Sequence, residues 1–67
     1  MPQILINGQL HQLAGEPSVA EALVTLGLQG RRVAVECNGA IVPRSAHADH
    51  RLRDGDRVEI VVAVGGG

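Results

Sequence analysis

Apolar residues recur at every second position in several stretches of this chain and at every third or fourth in one. That pattern predicts strands arranged around a single helix. Residues 3–7 read as a strand with Ile4 and Ile6 on one face and Gln3, Leu5 and Asn7 on the other. Asn7-Gly8 predicts a tight type I′ hairpin turn. The return strand is 9–13, where Leu10 and Leu13 are three apart, so a bulge near His11 or Gln12 is expected to turn both leucines inward. Ala14 to Pro17 is a loop. Ser18 and Glu21 then form a Ser-x-x-Glu capping box, and Val19, Ala22, Leu23 and Leu26 make one apolar helical face that ends at Gly27, about ten residues in all. Residues 32–37 alternate again, with Val33, Val35 and Cys37 on the inner side. Asn38-Gly39 is a second hairpin turn, leading to a short strand, 40–42, that Pro43 interrupts. The polar stretch 44–53 predicts a short helical piece around Ser45, Ala46 and His47, and Asp54-Gly55-Asp56 predicts a turn. Residues 57–64 are apolar at nearly every position on both faces, which predicts a central strand.

The order β-β-α-β-(β)-β places a helix in the 18 residues between the second and third strands, enough for a crossover on one sheet face. The fold class expected is α+β: a mixed β-sheet packed on one face by a single helix, a β-grasp, with the last strand parallel to the first at the centre. Residues 1–64 form the domain and 65–67 a flexible tail.

Composition narrows the function. With 67 residues, only one small domain fits, and such a domain buries only about 60% of the surface its unfolded chain exposes. Ligand clefts typically need about 300–1,000 Å³, so size argues against an autonomous enzyme. There is no Phe, Trp or Tyr, which removes the aromatic platform used for single-stranded nucleic acid. The formal net charge is −1, which gives no basic excess for nucleic acid. No apolar run reaches the ~18 residues of a membrane helix, and the start carries no signal-peptide pattern. Cys37 is the single cysteine, so no internal disulfide forms and a reducing, cytoplasmic setting is expected.

The chain closes on Val64-Gly65-Gly66-Gly67. Three extended residues reach about 10–11 Å. Lacking side chains, they fit a slot too narrow for other residues, and they carry the largest ordering entropy. Composition leaves two readings open: a frayed end, or a terminus that matters for its carboxylate.

Several segments together resemble the sulfur carrier protein ThiS family of thiamin biosynthesis, within the ubiquitin-like β-grasp group. They are Gln3 to Gly8, Ser18 to Leu23, Ile41-Val42-Pro43-Arg44, Leu52 to Glu59, and Gly66-Gly67. The resemblance covers the whole chain, with Pro2 a mild departure ahead of the first strand. It implies a co-substrate rather than a catalyst. An ATP- and Mg-dependent E1-like adenylyltransferase (ThiF type) would convert the Gly67 carboxylate to an acyl adenylate. A persulfide sulfur donor would displace AMP, and the resulting thiocarboxylate would pass to thiazole synthase (ThiG type). Gly65 and Gly66 would thread the tail into both partner active sites. ATP and Mg belong to the activating partner; no cofactor or metal is expected on this chain. Two neighbouring families share the fold and the diglycine: the small subunit of molybdopterin synthase and the ubiquitin-like protein modifiers.

Other residues bear on partners or invite a chemical reading. Leu5 is expected on the open sheet face beside Glu59, Val61 and Ala63, a candidate docking patch, with Arg44 or Arg57 at its rim. Cys37 reads as a core thiol. His47 and His50 are spaced for one helical turn but fall short of the three or four ligands a metal needs. Asp54 and Asp56 read as turn residues, and Arg31-Arg32 as a complement to the helix C-terminus.

Overall fold

The computed structural model describes residues 1–63, so Val64, Gly65, Gly66 and Gly67 lie outside the described residues. The two Asn-Gly pairs build the hairpins: Asn7 and Gly8 have φ of 50° and 82°, and Asn38 and Gly39 have 53° and 85°. Both central positions of a type I′ turn need positive φ, which Asn and Gly tolerate best. The first turn joins β1 (Gln3–Ile6) to β2 (Gln9–Gln12), and the second joins β3 (Val33–Cys37) to β4 (Ala40–Val42). The last strand is β5 (Arg57–Val62).

The strand order is β2-β1-β5-β3-β4. As expected, β5 sits at the centre, parallel to β1 and antiparallel to β3. Its pattern is more asymmetric than the sequence implied. Val58 and Ile60 are buried, whereas Arg57, Glu59 and Val61 are exposed, because the helix covers only one side of the sheet.

The helix α1 (Val19–Thr25) is shorter than expected. The predicted capping box is present: Glu21 N–H donates to the Ser18 hydroxyl at 3.1 Å, and Ser18 N–H donates to Glu21 Oε1 at 2.8 Å. The other end closes at Gly27, as the sequence implied. Gly27 adopts φ of 75°, its N–H donates to Val24, and Leu28 N–H donates back to Leu23. This reverse turn satisfies the last carbonyls and folds Leu28 onto Leu23. No basic residue lies in the last helical turn.

The core lies between α1 and the inner sheet face. Ile4, Ile6, Val35, Cys37, Val58 and Ile60 meet Val19, Ala22 and Leu23, with Leu13, Val42 and Leu52 closing the ends. Residues 43–52 bridge sheet and helix, with a 3₁₀ turn at Arg44–Ala46, as the sequence predicted. Val19 N–H donates to His50 and Leu52 N–H to Pro17, which stitches this segment to the helix start.

One expectation is corrected. No bulge interrupts β2, whose register runs Ile6↔Gln9, Leu5↔Leu10, Ile4↔His11 and Gln3↔Gln12. Leu13 is buried, but Leu10 is 65% exposed. A two-residue turn fixes this pairing, and Leu5 faces outward, so its partner Leu10 must as well. Leu13 reaches the core only beyond the strand, where its N–H donates to Pro2.

Candidate functional site

Among the described residues, the candidates for function lie along β5 and on the open sheet face. Three sets of contacts fix β5. At its start, Asn38 Oδ1 accepts from Arg57 N–H at 3.0 Å, while Asn38 Nδ2 donates to Asp56 Oδ1 at 3.1 Å. Along its length, β3 pairs with it from Cys37↔Val58 to Val33↔Val62. On the other side β1 ends early, and the Asn7 side chain takes over. Asn7 Nδ2 donates to the Ile60 carbonyl at 3.0 Å, and Ile60 N–H donates to Asn7 Oδ1 at 2.7 Å. The amide thereby supplies the donor and acceptor that another strand residue would have supplied. Ala63 N–H then donates to the Arg32 carbonyl at 2.9 Å, the last described contact before the glycines.

The open face carries the residues that the sequence marked as a candidate docking patch. Leu5 is half-buried, and Glu59 and Val61 are exposed on the same side; Ala63 is exposed just past the strand end. Arg57 stands opposite Leu5 on this face, whereas Arg44 lies on the helix side. The structure adds Leu10, opposite Leu5, and Ile41, which is 70% exposed. Both were readable from the turns: a two-residue loop at 7–8 pairs 5 with 10, and one at 38–39 pairs 36 with 41. It also sets Glu36 directly across from Glu59. Like charges at such a pair are unfavourable for the isolated domain.

The remaining chemical candidates have structural roles. Cys37 is buried, and burial, then the nearby Asp56 carboxylate, push its thiol up from the usual range. It stays protonated and unreactive at neutral pH. The His47 ring is buried, and its Nε2–H donates to the Val42 carbonyl at 3.1 Å. Among the described residues, no three His, Cys, Asp or Glu side chains gather as a metal site. Asp54 Oδ1 accepts from Gln3 N–H at 2.7 Å and Asp56 Oδ2 from Arg53 N–H at 2.8 Å, so both carboxylates brace the turn before β5. Glu21 is held below its usual range by the Ser18 N–H first, then the Ser18 hydroxyl, with slight burial opposing and Arg51 adding attraction. Among the described residues, no helix is long and apolar enough to cross a membrane.

Comparison with known proteins covers the chain nearly end to end. The model of the ThiS family matches residues 4–67. The sulfur carrier protein ThiS of Escherichia coli (strain K12) is 37% identical over 65 residues, which is 97% of this chain and 98% of that one. A thiazole synthase of Paramagnetospirillum magneticum is 42% identical over 65 residues, 97% of this chain but 20% of the synthase, so the chain spans about a fifth of that relative. The crystal structure of a thiamine biosynthesis protein (ThiS) from Geobacter metallireducens superposes with a TM-score of 0.81. It is 34% identical, and the match covers 97% of this chain and 99% of that one.

Proposed function

This chain belongs to the ThiS family, and from that premise we propose that it is a sulfur carrier of thiamin biosynthesis whose reacting group is the Gly67 carboxylate. The observation that carries the reading is the family match itself, which runs through the glycines to residue 67. The central, doubly paired β5 supports it, because that strand ends at Val62, three positions ahead of Gly65 in sequence.

A carboxylate is a resonance-stabilised anion and a poor electrophile. In the proposed cycle a Gly67 oxygen attacks the α-phosphorus of ATP in an E1-like adenylyltransferase, and pyrophosphate leaves. A persulfide sulfur then attacks the acyl carbon and AMP leaves. A thiol reductant opens the remaining S–S bond, which leaves the thiocarboxylate on Gly67. Donors in the partner site stabilise the oxyanion of the tetrahedral intermediate that forms when sulfur attacks the acyl carbon. Gly65 and Gly66 carry the acyl group down a narrow slot. The thiocarboxylate sulfur then goes to thiazole synthase. The chain acts as co-substrate of both enzymes, in the cytoplasm, and the open-face residues Leu5, Glu59, Val61 and Ala63 meet these partners.

The test is intact mass after incubation with ATP, Mg²⁺, the adenylyltransferase and a persulfide donor. The expected gain is one oxygen replaced by sulfur. A chain with one residue added after Gly67 keeps its fold and loses ATP–pyrophosphate exchange. Exchange at the wild-type rate in that variant overturns the reading. Covalent adducts to other proteins would instead indicate a modifier, and sulfur transfer only to a molybdopterin synthase large subunit would indicate that pathway.

A further inference from the structure

On the helix side, away from the open sheet face, a groove of about 530 Å³ runs between α1, the segment 28–33 and the 3₁₀ turn. Its floor is apolar. Leu23, Val24, Leu28 and Val33 line it, and Val24 is 51% exposed on α1. The reverse turn at Gly27 creates this floor by folding Leu28 back beside Leu23. The rim holds Arg31, Arg32 and Arg44, half of the six arginines in a chain whose net charge is −1. Among the described residues, no acidic side chain lines the groove. All three arginines are exposed, and the one ion pair among the described residues is Arg51 with Glu21, elsewhere. The groove is thus positive around an apolar centre, whereas the open face sets Glu36 against Glu59.

Its position matters as much as its charge. Val33 pairs with Val62, and the Arg32 carbonyl accepts the Ala63 N–H, so the groove begins where β5 ends. An enzyme that takes residues 65–67 into its active site must therefore approach this groove.

Resting on the carrier reading above, we propose that the groove is a second docking surface. Its occupant is a segment of a tail-binding partner that presents carboxylates beside apolar side chains. Arginine forks pair with carboxylates in two parallel hydrogen bonds, which orients such a segment while its apolar residues cover Val24 and Leu28. The groove and the open face lie on opposite sides of the sheet, so one partner contact does not consume the other.

The experiment measures binding of the full chain to the adenylyltransferase and to thiazole synthase separately, by calorimetry at low and high salt. It compares wild type, the triple variant Arg31→Gln/Arg32→Gln/Arg44→Gln, and the open-face variant Leu5→Asp. The triple variant is expected to bind at least one partner about tenfold more weakly and to lose much of the salt dependence of that complex. If the triple variant does not melt cooperatively, Arg44→Gln alone is expected to show the same direction with a smaller factor. Unchanged affinity for both partners overturns the proposal. So does a wild-type dimer that the triple variant turns into monomer, since the occupant would then be a second copy. Wild type that gains sulfur normally while the groove variants bind normally removes this inference alone. Wild type that neither gains sulfur nor binds either enzyme removes the carrier reading with it.

Discussion

The two faces of β5 differ sharply in what surrounds them. Val58 and Ile60 point under the helix and are buried, while Arg57, Glu59 and Val61 alternate with them toward solvent, where Val61 is 64% exposed. The first set is judged by how well it fills space. The second keeps an apolar side chain in water and Glu59 opposite Glu36, neither of which helps the isolated domain. Under the proposed function, that cost is offset when a partner covers the face. The difference teaches that a 2-residue period can keep packing and recognition separate within one strand.

The sharpest way to break this comparison is to cut into the buried face. Ile4→Ala, at a fully buried position, should destabilise by about 2–5 kcal/mol, read from urea unfolding. A loss under 1 kcal/mol would mean that the inner face is not the stabilising one. Next comes the open face. Leu5→Asp with Val61→Asp should shift stability by little more than about 0.5 kcal/mol each while weakening partner binding about tenfold or more. Equal binding to wild type would leave that face without a task. A smaller effect is expected at the seam between the faces. Asn7→Gly keeps the positive φ that the turn needs but deletes both bonds to Ile60, and should cost about 1–2 kcal/mol. Stability equal to wild type would show that β5 needs no support past the end of β1.

The smallest effect is a pH dependence at Glu21, remote from both faces. Its carboxyl is lowered in the folded state, from an ordinary value of 4.5, so the folded chain binds a proton there less readily than the unfolded chain. The stabilisation is present above that ordinary value and fades as pH falls through the lower, folded one. Glu21→Gln should therefore flatten the acid limb of the melting-temperature profile and leave the neutral limb nearly parallel to wild type. An unchanged acid limb would remove Glu21 as the cause.

Much of this was legible in the residues. The Asn-Gly pairs, the Ser18–Glu21 box and the period-2 runs encode their structure locally, so helix, hairpins and the central strand could be read from them. Leu10 was misplaced because the apolar spacing to Leu13 was given more weight than the turn, although the turn fixes the register. Gly27 was legible as the end of α1, but the bond from Leu28 N–H to Leu23 that folds the chain back there was not, because apolar periodicity does not report it. Asn7 read only as a turn residue. Its second role depends on Ile60, 53 positions away, and no local pattern connects the two. The groove was invisible for the same reason, since Arg31, Arg32 and Arg44 meet only after β3 and the 3₁₀ turn are in place. The glycines were the most conspicuous chemical feature of the sequence, and residues 64–67 lie outside the described residues.

The parallel pairing of β1 with β5 also has a practical side. The Gln3 N–H is bound to Asp54 in the turn that precedes β5, so the chain enters the sheet beside the place where its last strand begins. At about 3.3 Å per residue, the run from Arg57 to Ala63 then carries the backbone roughly 20 Å farther on. An affinity tag or a reporter joined ahead of Met1 is thereby mounted at the opposite pole from Ala63. Such a handle can anchor the chain to a surface without crowding the end where, under the proposed function, sulfur would be loaded.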